Sequence, residues 1–317
     1  MSERAVLPPP NWTAPDRRLR ILVWHVHAAW MSAFVAGRHE YLIPKDAQGG
    51  GKCGRDWPNA VEVTAPCEVD VVVLQRPEDL AELPAWVRHE VPMVYVEHNT
   101  PKGQPHPIAD RTDIRLVHVT HFNEVMWDSG RAPTTVIEHG VPDPGPRYTG
   151  ELRRAAAVIN EPVRRARITG TDLLPRFAPI DVFGIHTDRL DLPGVHPGGD
   201  LWTDELHTEL ARRRVYVHPP RWTSLGLSLI EAMHLAMPVV VLGATEAFEA
   251  VPPDAGVVST RVDVLADAAR ELINAPDLAA ELGRQARRAA LARYGSAAFL
   301  RDWDWLLTEA LEDGRQS

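Results

Sequence analysis

Short runs of β-branched and other apolar residues recur along the chain, separated by stretches of helix-like composition. The first series is Leu19–Trp24, Val71–Leu74, Met93–Val96, Leu116–Val119 and Thr135–Ile137. The second is Ala156–Ile159, Ile180–Phe183, Val215–His218, Val239–Leu242 and Gly256–Val258. Continuous apolar runs suit strands buried on both faces of a parallel sheet, whereas a half-exposed strand alternates. Strands alternating with helices predict βαβ units and an α/β fold.

The pattern breaks at residues 141–150, Val-Pro-Asp-Pro-Gly-Pro-Arg-Tyr-Thr-Gly. So many prolines and glycines exclude regular helix and central strand, and the segment reads as a hinge between two α/β domains of similar size. Ligands of open α/β sheets bind at the carboxyl ends of the strands, so two such sheets facing each other would form a cleft. The Gly- and Asp-rich stretches Asp46–Gly54 and Leu192–Asp200 read as surface loops. Residues 278–311 are helical in composition and carry Trp303 and Trp305, for which core packing is the default.

Bulk properties narrow the function. A chain of 317 residues with 44% hydrophobic and 24% charged residues suits two globular domains. The net charge of −9 disfavours a nucleic-acid partner, which needs a positive field. Arginine far outnumbers lysine, which occurs only at Lys45, Lys52 and Lys102. Cys53 and Cys67 read as free thiols of a reducing, cytoplasmic compartment, and their spacing is not that of a zinc site. Met1–Arg20 is polar and Pro-rich with no apolar core for a signal peptide. No apolar run is long enough to span a bilayer, which leaves peripheral membrane contact open.

The most informative stretch runs from His218 to Val240, His-Pro-Pro-Arg-Trp-Thr-Ser-Leu-Gly-Leu-Ser-Leu-Ile-Glu-Ala-Met-His-Leu-Ala-Met-Pro-Val-Val. It leaves a strand end, passes through a loop with Thr223, Ser224, Leu225 and Gly226, and enters a helix. Ser224 is a candidate N-cap, and Gly226 would let a ligand approach the backbone. The first N–H groups of such a helix are unpaired and sit at the positive end of its dipole, so they suit a diphosphate. Glu231, deeper in the helix, can accept hydrogen bonds from the two hydroxyls of a ribose. Met237-Pro238 is expected to end the helix. Met233 and Met237 read as core packing.

This stretch resembles the signature of glycosyltransferase family four (glycosyl transferases group 1), retaining enzymes of the GT-B fold, in a divergent, actinobacterial-type form. The family pattern is Pro-Ser-x-x-Glu-Gly-Phe-Gly-Leu, then Glu-Ala-Met in a helix, then Gly-x-Pro-Val-Val. Gly226, Leu227, Glu231, Ala232, Met233, Pro238, Val239 and Val240 fall in register with it. The resemblance implies that Glu231 holds the donor ribose and that backbone at Ser224–Leu227 meets the donor phosphates or sugar. Thr223 stands where the family has its first glutamate, close to the transferred sugar. A hydroxyl there forms hydrogen bonds but supplies no negative charge.

Weaker matches follow in the expected order. Val91–Pro101 resembles the segment in which a strand ends in a histidine near the reacting sugar, here His98. Leu116–Asn123 resembles the next strand and loop, with Thr120, and with His121 and Asn123 as cleft candidates. Thr135–Pro142 resembles Val-Ile-Pro-Asn-Gly-Val-Asp, with Glu138 and His139 replacing Pro and Asn, and with Gly140 fitting a turn of positive φ. In the family an Arg and a Lys clamp the diphosphate early in the second domain. Here Ile159-Asn160 replaces Gly-Arg and Thr169 replaces the Lys, while Gly170, Asp172, Leu173 and Leu174 keep register. Arg164, Arg165 and Arg167 would supply the missing charge, since arginine binds phosphate bidentately; a basic loop paired with nearby acids is the equal alternative. After the first strand, His25-Val-His-Ala-Ala-Trp30 occupies the place of a Gly-rich loop, with small Ala28 and Ala29. Of His25 and His27, at most one should face the cleft.

The expected architecture is therefore GT-B, two Rossmann-like domains with parallel sheets facing a central cleft. Residues 1–145 would form the acceptor-side domain and 146–295 the nucleotide-sugar domain, with 296–317 a helix packing back on the first. The expected activity is metal-independent, retaining transfer from a nucleotide sugar to an unspecified acceptor, with no cofactor. The substitutions at Thr223 and Thr169 leave an alternative from another class, a non-catalytic nucleotide-sugar-binding or partner protein; a third is a GT-B epimerase or phosphorylase, though the chain is short for the phosphorylases. A dehydrogenase is disfavoured because no G-x-G-x-x-G follows the first strand.

Overall fold

The computed structural model describes residues 7–9, 11–46 and 49–314. The start of the Met1–Arg20 stretch, two positions of the expected Asp46–Gly54 loop and the last three residues of the chain lie outside them. The chain divides into two units, residues 1–141 with 296–317, and residues 142–295. Each is a Rossmann-like α/β domain built on a largely parallel sheet.

The first sheet contains β1 (Arg20–Val23), β2 (Glu40–Asp46), β3 (Gly49–Gly50), β4 (Ala60–Val63), β5 (Val71–Leu74), β6 (Met93–Glu97), β7 (Ile114–His118) and β8 (Thr134–Val136). Its order is β3-β2-β1-β5-β6-β7-β8, with β4 also on β2, and only the β2–β3 pair is antiparallel. The fully buried Val-Val-Val-Leu of β5 shows why the apolar runs are continuous: β5 lies between β1 and β6 and is covered on both faces. The helices α1 (Ala28–Phe34), α2 (Pro77–Glu82) and α3 (His121–Met126) follow β1, β5 and β7.

The second sheet contains β9 (Leu152–Val158), β10 (Ile180–Phe183), β11 (Val195–Gly199), β12 (Arg213–His218), β13 (Val239–Leu242) and β14 (Gly256–Ser259). All its pairs are parallel, in the order β11-β10-β9-β12-β13-β14. The chain leaves β9 toward one side and resumes at β12 on the other, so the topological switch point lies between β9 and β12. Its helices are α4 (Pro162–Arg165), α5 (Thr203–Arg212), α6 (Leu227–His234), α7 (Ala247–Ala250), α8 (Val262–Asn274) and α9 (Pro276–Arg293). The core joins Ala155, Ala157, Val215, Val217 and Val240 of the sheet to Leu265, Ala269 and Leu272 of α8.

The last helix, α10 (Ser296–Gly314), belongs to the first unit. Trp303 packs edge-on against Trp30 and Phe34 at centroid distances of 5.6 and 5.0 Å. Asp304 pairs with Arg38 Nε at 2.9 Å and with buried His39 Nε2 at 2.7 Å.

Four expectations need correction. Asp46–Gly54 is not wholly loop, because β2 runs to Asp46 and β3 (Gly49–Gly50) pairs back on it. Leu192–Asp200 is not wholly loop, because it contains β11, an edge strand paired with β10. An edge position tolerates Pro197 and the two glycines that mask it in sequence. Helix α6 ends at His234, ahead of Met237-Pro238, and Ala236 then turns with φ of 66°. Gly140 does not adopt a positive φ; a Cβ there would lie 2.3 Å from the Cβ of Phe299 on α10, so packing is what keeps it small.

Candidate functional site

In the second unit the two stretches singled out by sequence emerge from neighbouring parallel strands. The arginine loop follows β9 and the Thr223–Gly226 loop follows β12, on the two sides of the switch point. Backbone contacts stitch them together. Arg221 N–H and Trp222 N–H both donate to the Ile168 carbonyl, at 2.8 and 3.3 Å. Gly170, at φ of 72°, lets the Pro219 carbonyl approach to 2.1 Å from where a Cβ would be, a space and a conformation open only to glycine. Arg221 grips Asp172 through two hydrogen bonds of 2.6 and 2.9 Å.

Within this frame the arginines differ. Arg164 is 69% exposed and pairs with Glu161 at 3.2 Å. Arg167 is exposed and lies 3.6 Å from Asp172. Arg165 is partly buried and, among the described residues, has no ion-pair partner. Burial and then neighbouring Arg164 push its pKa down, partly offset by Glu161. Because guanidinium does not give up its proton in a protein, the charge stays, with Glu161 acting on it without an ion pair. Thr169, at the place of the family lysine, is buried and donates to the Ala166 carbonyl at 3.1 Å.

Helix α6 is anchored by Leu229, Ile230, Ala232 and Met233, all fully buried, and by Tyr216 of β12, whose hydroxyl donates to Ser228 Oγ at 2.9 Å. Glu231 is on this helix with its side chain 14% exposed, so it does not extend into bulk water. Its Oε2 lies 3.8 Å from Nε2 of His207 on α5, and that buried nitrogen has no hydrogen-bond partner among the described residues. Leu227 opens the helix, Leu225 and Ser224 are buried before it, and Thr223 is partly exposed in the loop.

Two local expectations change here. The N-cap of α6 is Gly226, not Ser224, and a glycine has no side chain with which to cap the helix. Gly226 has an ordinary φ of −74°, and a Cβ on it would lie 2.5 Å from Cε1 of His218. The space over its Cα is taken by the fully buried ring of His218, whose pKa burial lowers to about 4. Packing against this ring is a reason for glycine here that the sequence did not disclose.

The first unit has its own switch point, between β1 and β5. Beyond these strand ends, His27 and His98 lie ring to ring at 4.2 Å, and Trp30 meets His98 edge-on at 5.2 Å. His98 is held well below its ordinary pKa by burial, then by His27 and His139. His139 is lowered to about 4 by burial and by His27. His27 is lowered by burial, with Glu97 acting the other way. His25 turns aside and its Nδ1 donates to the Gly51 carbonyl at 3.0 Å. Ala28 and Ala29 open α1 behind His27. Of the α3 residues, His121 is 61% exposed beside Glu124 at 3.8 Å. Thr120 caps α3 by accepting from Asn123 N–H, and Asn123 Nδ2 donates to the Asn99 carbonyl at 3.1 Å. His98 thus keeps company with His27 and His139, whereas His121 faces outward and Asn123 is engaged in holding a strand end.

Sequence reasoning missed Gln75 and His207. Gln75 announces itself only as a polar residue ending an apolar run, and His207 sits on a helix without any motif. No group of three or more His, Cys, Asp or Glu side chains among the described residues is arranged to hold a metal ion. No helix there is long and apolar enough to cross a membrane.

Comparison with known proteins bears on the fold and on one segment of the chain. Residues 191–289, which include β12, the loop and α6, match the family described as Glycosyl transferases group 1. Sucrose-phosphate synthase from Thermosynechococcus elongatus superposes with a TM-score of 0.71 at 13% identity, over 93% of this chain and 100% of that one. The fold is GT-B. Anabaena HepE in complex with UDP-glucose gives a TM-score of 0.68 at 15% identity, over 93% and 100% of the two chains. TarM from S. aureus, in complex with Fondaparinux, alpha-GlcNAc-glycerol and UDP, gives 0.59 at 16% identity over 75% of this chain and 55% of its own. The chain thus spans about half the length of TarM. No curated protein matches the sequence. The GT-B fold and the group 1 segment meet in the second unit, where Arg165 and Glu231 lie.

Proposed function

We propose that this protein transfers a sugar from a nucleotide donor bound on its second unit. Glu231 accepts hydrogen bonds from the pentose hydroxyls, while Arg165 and the first N–H groups of α6 meet the diphosphate. One observation carries the reading. A partly buried arginine that forms no ion pair among the described residues and a largely enclosed carboxylate lie in the segments that follow two adjacent strands, at the switch point of a Rossmann-like sheet. An unpaired, partly buried charge is costly unless a ligand compensates it.

The leaving diphosphate is stabilised by these donors, so the reaction needs neither a divalent metal nor a cofactor. Thr223 and His98 are assigned to the sugar. Retention of anomeric configuration follows from the likeness to family four. HepE was solved with UDP-glucose, so UDP-sugars are the first donors to offer.

The test is turnover on a panel of nucleotide sugars in the presence of EDTA, with the anomer of the released or transferred sugar read by NMR. Hydrolysis or transfer that persists in EDTA and conserves the anomer supports the proposal. Activity abolished by EDTA and restored by a divalent cation would refute metal independence. Tight binding with no turnover would favour the non-catalytic reading that Thr223 suggests.

A further inference from the structure

Trp24, Gln75 and His98 follow β1, β5 and β6, three neighbouring strands of the first sheet. Gln75 is buried, and its amide has little freedom. Its Nε2 donates to the main-chain oxygen of Trp24 at 2.6 Å and lies 3.4 Å from Met31 Sδ. A carbonyl oxygen can only accept, so the NH2 end of the amide must face Trp24; the flipped amide would bring two acceptors together. The amide oxygen therefore faces the other way, where it lies 3.0 Å from His98 Nε2. That oxygen too can only accept, so the proton must be on His98 Nε2.

A neutral imidazole carries a single ring proton. Burial keeps His98 neutral near pH 7, with His27 and His139 adding to the effect. Its Nδ1 is then a bare lone pair, able to accept a hydrogen bond. The ring cannot easily turn to exchange its nitrogens, because His27 lies against it at 4.2 Å and Trp30 at 5.2 Å.

We propose that Gln75 is a positioning residue which fixes His98 as the Nε2–H tautomer, so that Nδ1 accepts a hydrogen bond from a sugar hydroxyl. This rests on the assignment of His98 to the sugar. A hydroxyl held at Nδ1 must donate its proton toward the ring, which leaves both of its own lone pairs free. Without Gln75 the ring proton is free to sit on either nitrogen, and a fraction of the molecules would present N–H where the hydroxyl needs an acceptor.

Long-range 1H–15N correlation spectra of protein labelled with 15N-histidine read the tautomer directly, with His98→Ala supplying the assignment. The wild-type protein should show the Nε2–H pattern at neutral pH without any ligand. Gln75→Met, close in length but without the acceptor, should give a mixture of tautomers or Nδ1–H. With UDP-glucose as donor, kcat should fall up to about tenfold in that variant, the scale of one lost hydrogen bond. Its affinity for UDP, by calorimetry, should be unchanged. An Nδ1–H ring in the wild type overturns the proposal, as does an unaltered tautomer in a folded Gln75→Met. If that variant does not fold, the wild-type spectrum alone decides. Failure of the donor assignment would show itself separately, as absence of nucleotide-sugar binding by the wild type.

Discussion

The two switch points start from equivalent topology and end in opposite chemistry. In the first sheet β2-β1-β5-β6 and in the second β10-β9-β12-β13 bring corresponding strand ends side by side. The first group of loops gathers His27, Gln75 and His98, with His139 close by in charge terms, and burial strips the imidazoles of charge. The second gathers Arg165 and Glu231, of which the arginine cannot be neutralised at all. Topology decides that the loops meet. What they can bind follows from how each side chain responds to burial: a titratable ring goes neutral and reads hydroxyls, whereas a guanidinium keeps its charge and attracts phosphate.

Acid should expose the contrast most strongly. In the first unit burial lowers the pKa of His27, His98, His118 and His139; in the second, that of His218 and His234. These rings are neutral when folded and take up protons first when unfolded. Stability is therefore complete above about pH 6.5 and is lost as the pH falls toward about 4. A ring lowered to about 4, such as His118 or His218, accounts for on the order of 3 kcal/mol across that range. Hydrogen exchange followed from pH 7 to 4.5 should show the first unit losing protection before the second. Equal loss in both would contradict the comparison.

The next largest effect is expected at Glu231. Glu231→Ala should weaken binding of UDP or another cognate nucleotide by about 10- to 100-fold, equivalent to about 1.5–3 kcal/mol for hydrogen bonds to a charged group. Calorimetry at fixed salt measures this, and an unchanged dissociation constant would remove Glu231 from the donor site. His98→Ala should leave the same constant unaltered while lowering turnover, because the first unit is assigned to the sugar.

Gly226→Ala tests packing against ligand approach. The added methyl meets the buried His218 ring, so the variant should lose about 1–2 kcal/mol of stability in denaturant melts, with or without nucleotide. A variant of wild-type stability that has lost only nucleotide affinity would restore the ligand-approach explanation. The smallest effect belongs to Arg165→Leu. Removing a partly buried charge that forms no ion pair among the described residues should leave stability unchanged or slightly higher, yet weaken UDP binding several-fold, by about 1 kcal/mol, with a flatter dependence on salt. Loss of stability without loss of affinity would mean that the guanidinium serves packing alone.

Much of the fold was legible because both sheets are parallel and buried. Val71–Leu74, Ile180–Phe183 and Val239–Leu242 form strands over the very residues their apolar runs span. The strands that escaped notice lack that signature. Tyr41, Leu42 and Ile43 of β2 are buried but flanked by Glu40, Pro44 and Lys45, and β11 is an edge strand of Val-His-Pro-Gly-Gly. Glu231 was legible from the motif between His218 and Val240, and the arginines from the weaker match around residues 159–174. The relative availability of the arginines was not, since Arg164, Arg165 and Arg167 look alike in sequence and differ in burial and in whether an acid pairs with them.

The sequence by itself determined the α/β class, the buried strands and the stretch that carries Glu231, because each is written in local periodicity and spacing along one segment. Only the tertiary structure decided that a side chain at Gly140 or Gly226 would meet Phe299 or His218, that Arg165 forms no ion pair among the described residues, and that Gln75 Oε1 lies beside His98 Nε2. Each of these depends on atoms supplied by a different strand or helix. Contacts of that kind come from how the elements pack, so the residues on either side in the chain do not disclose them.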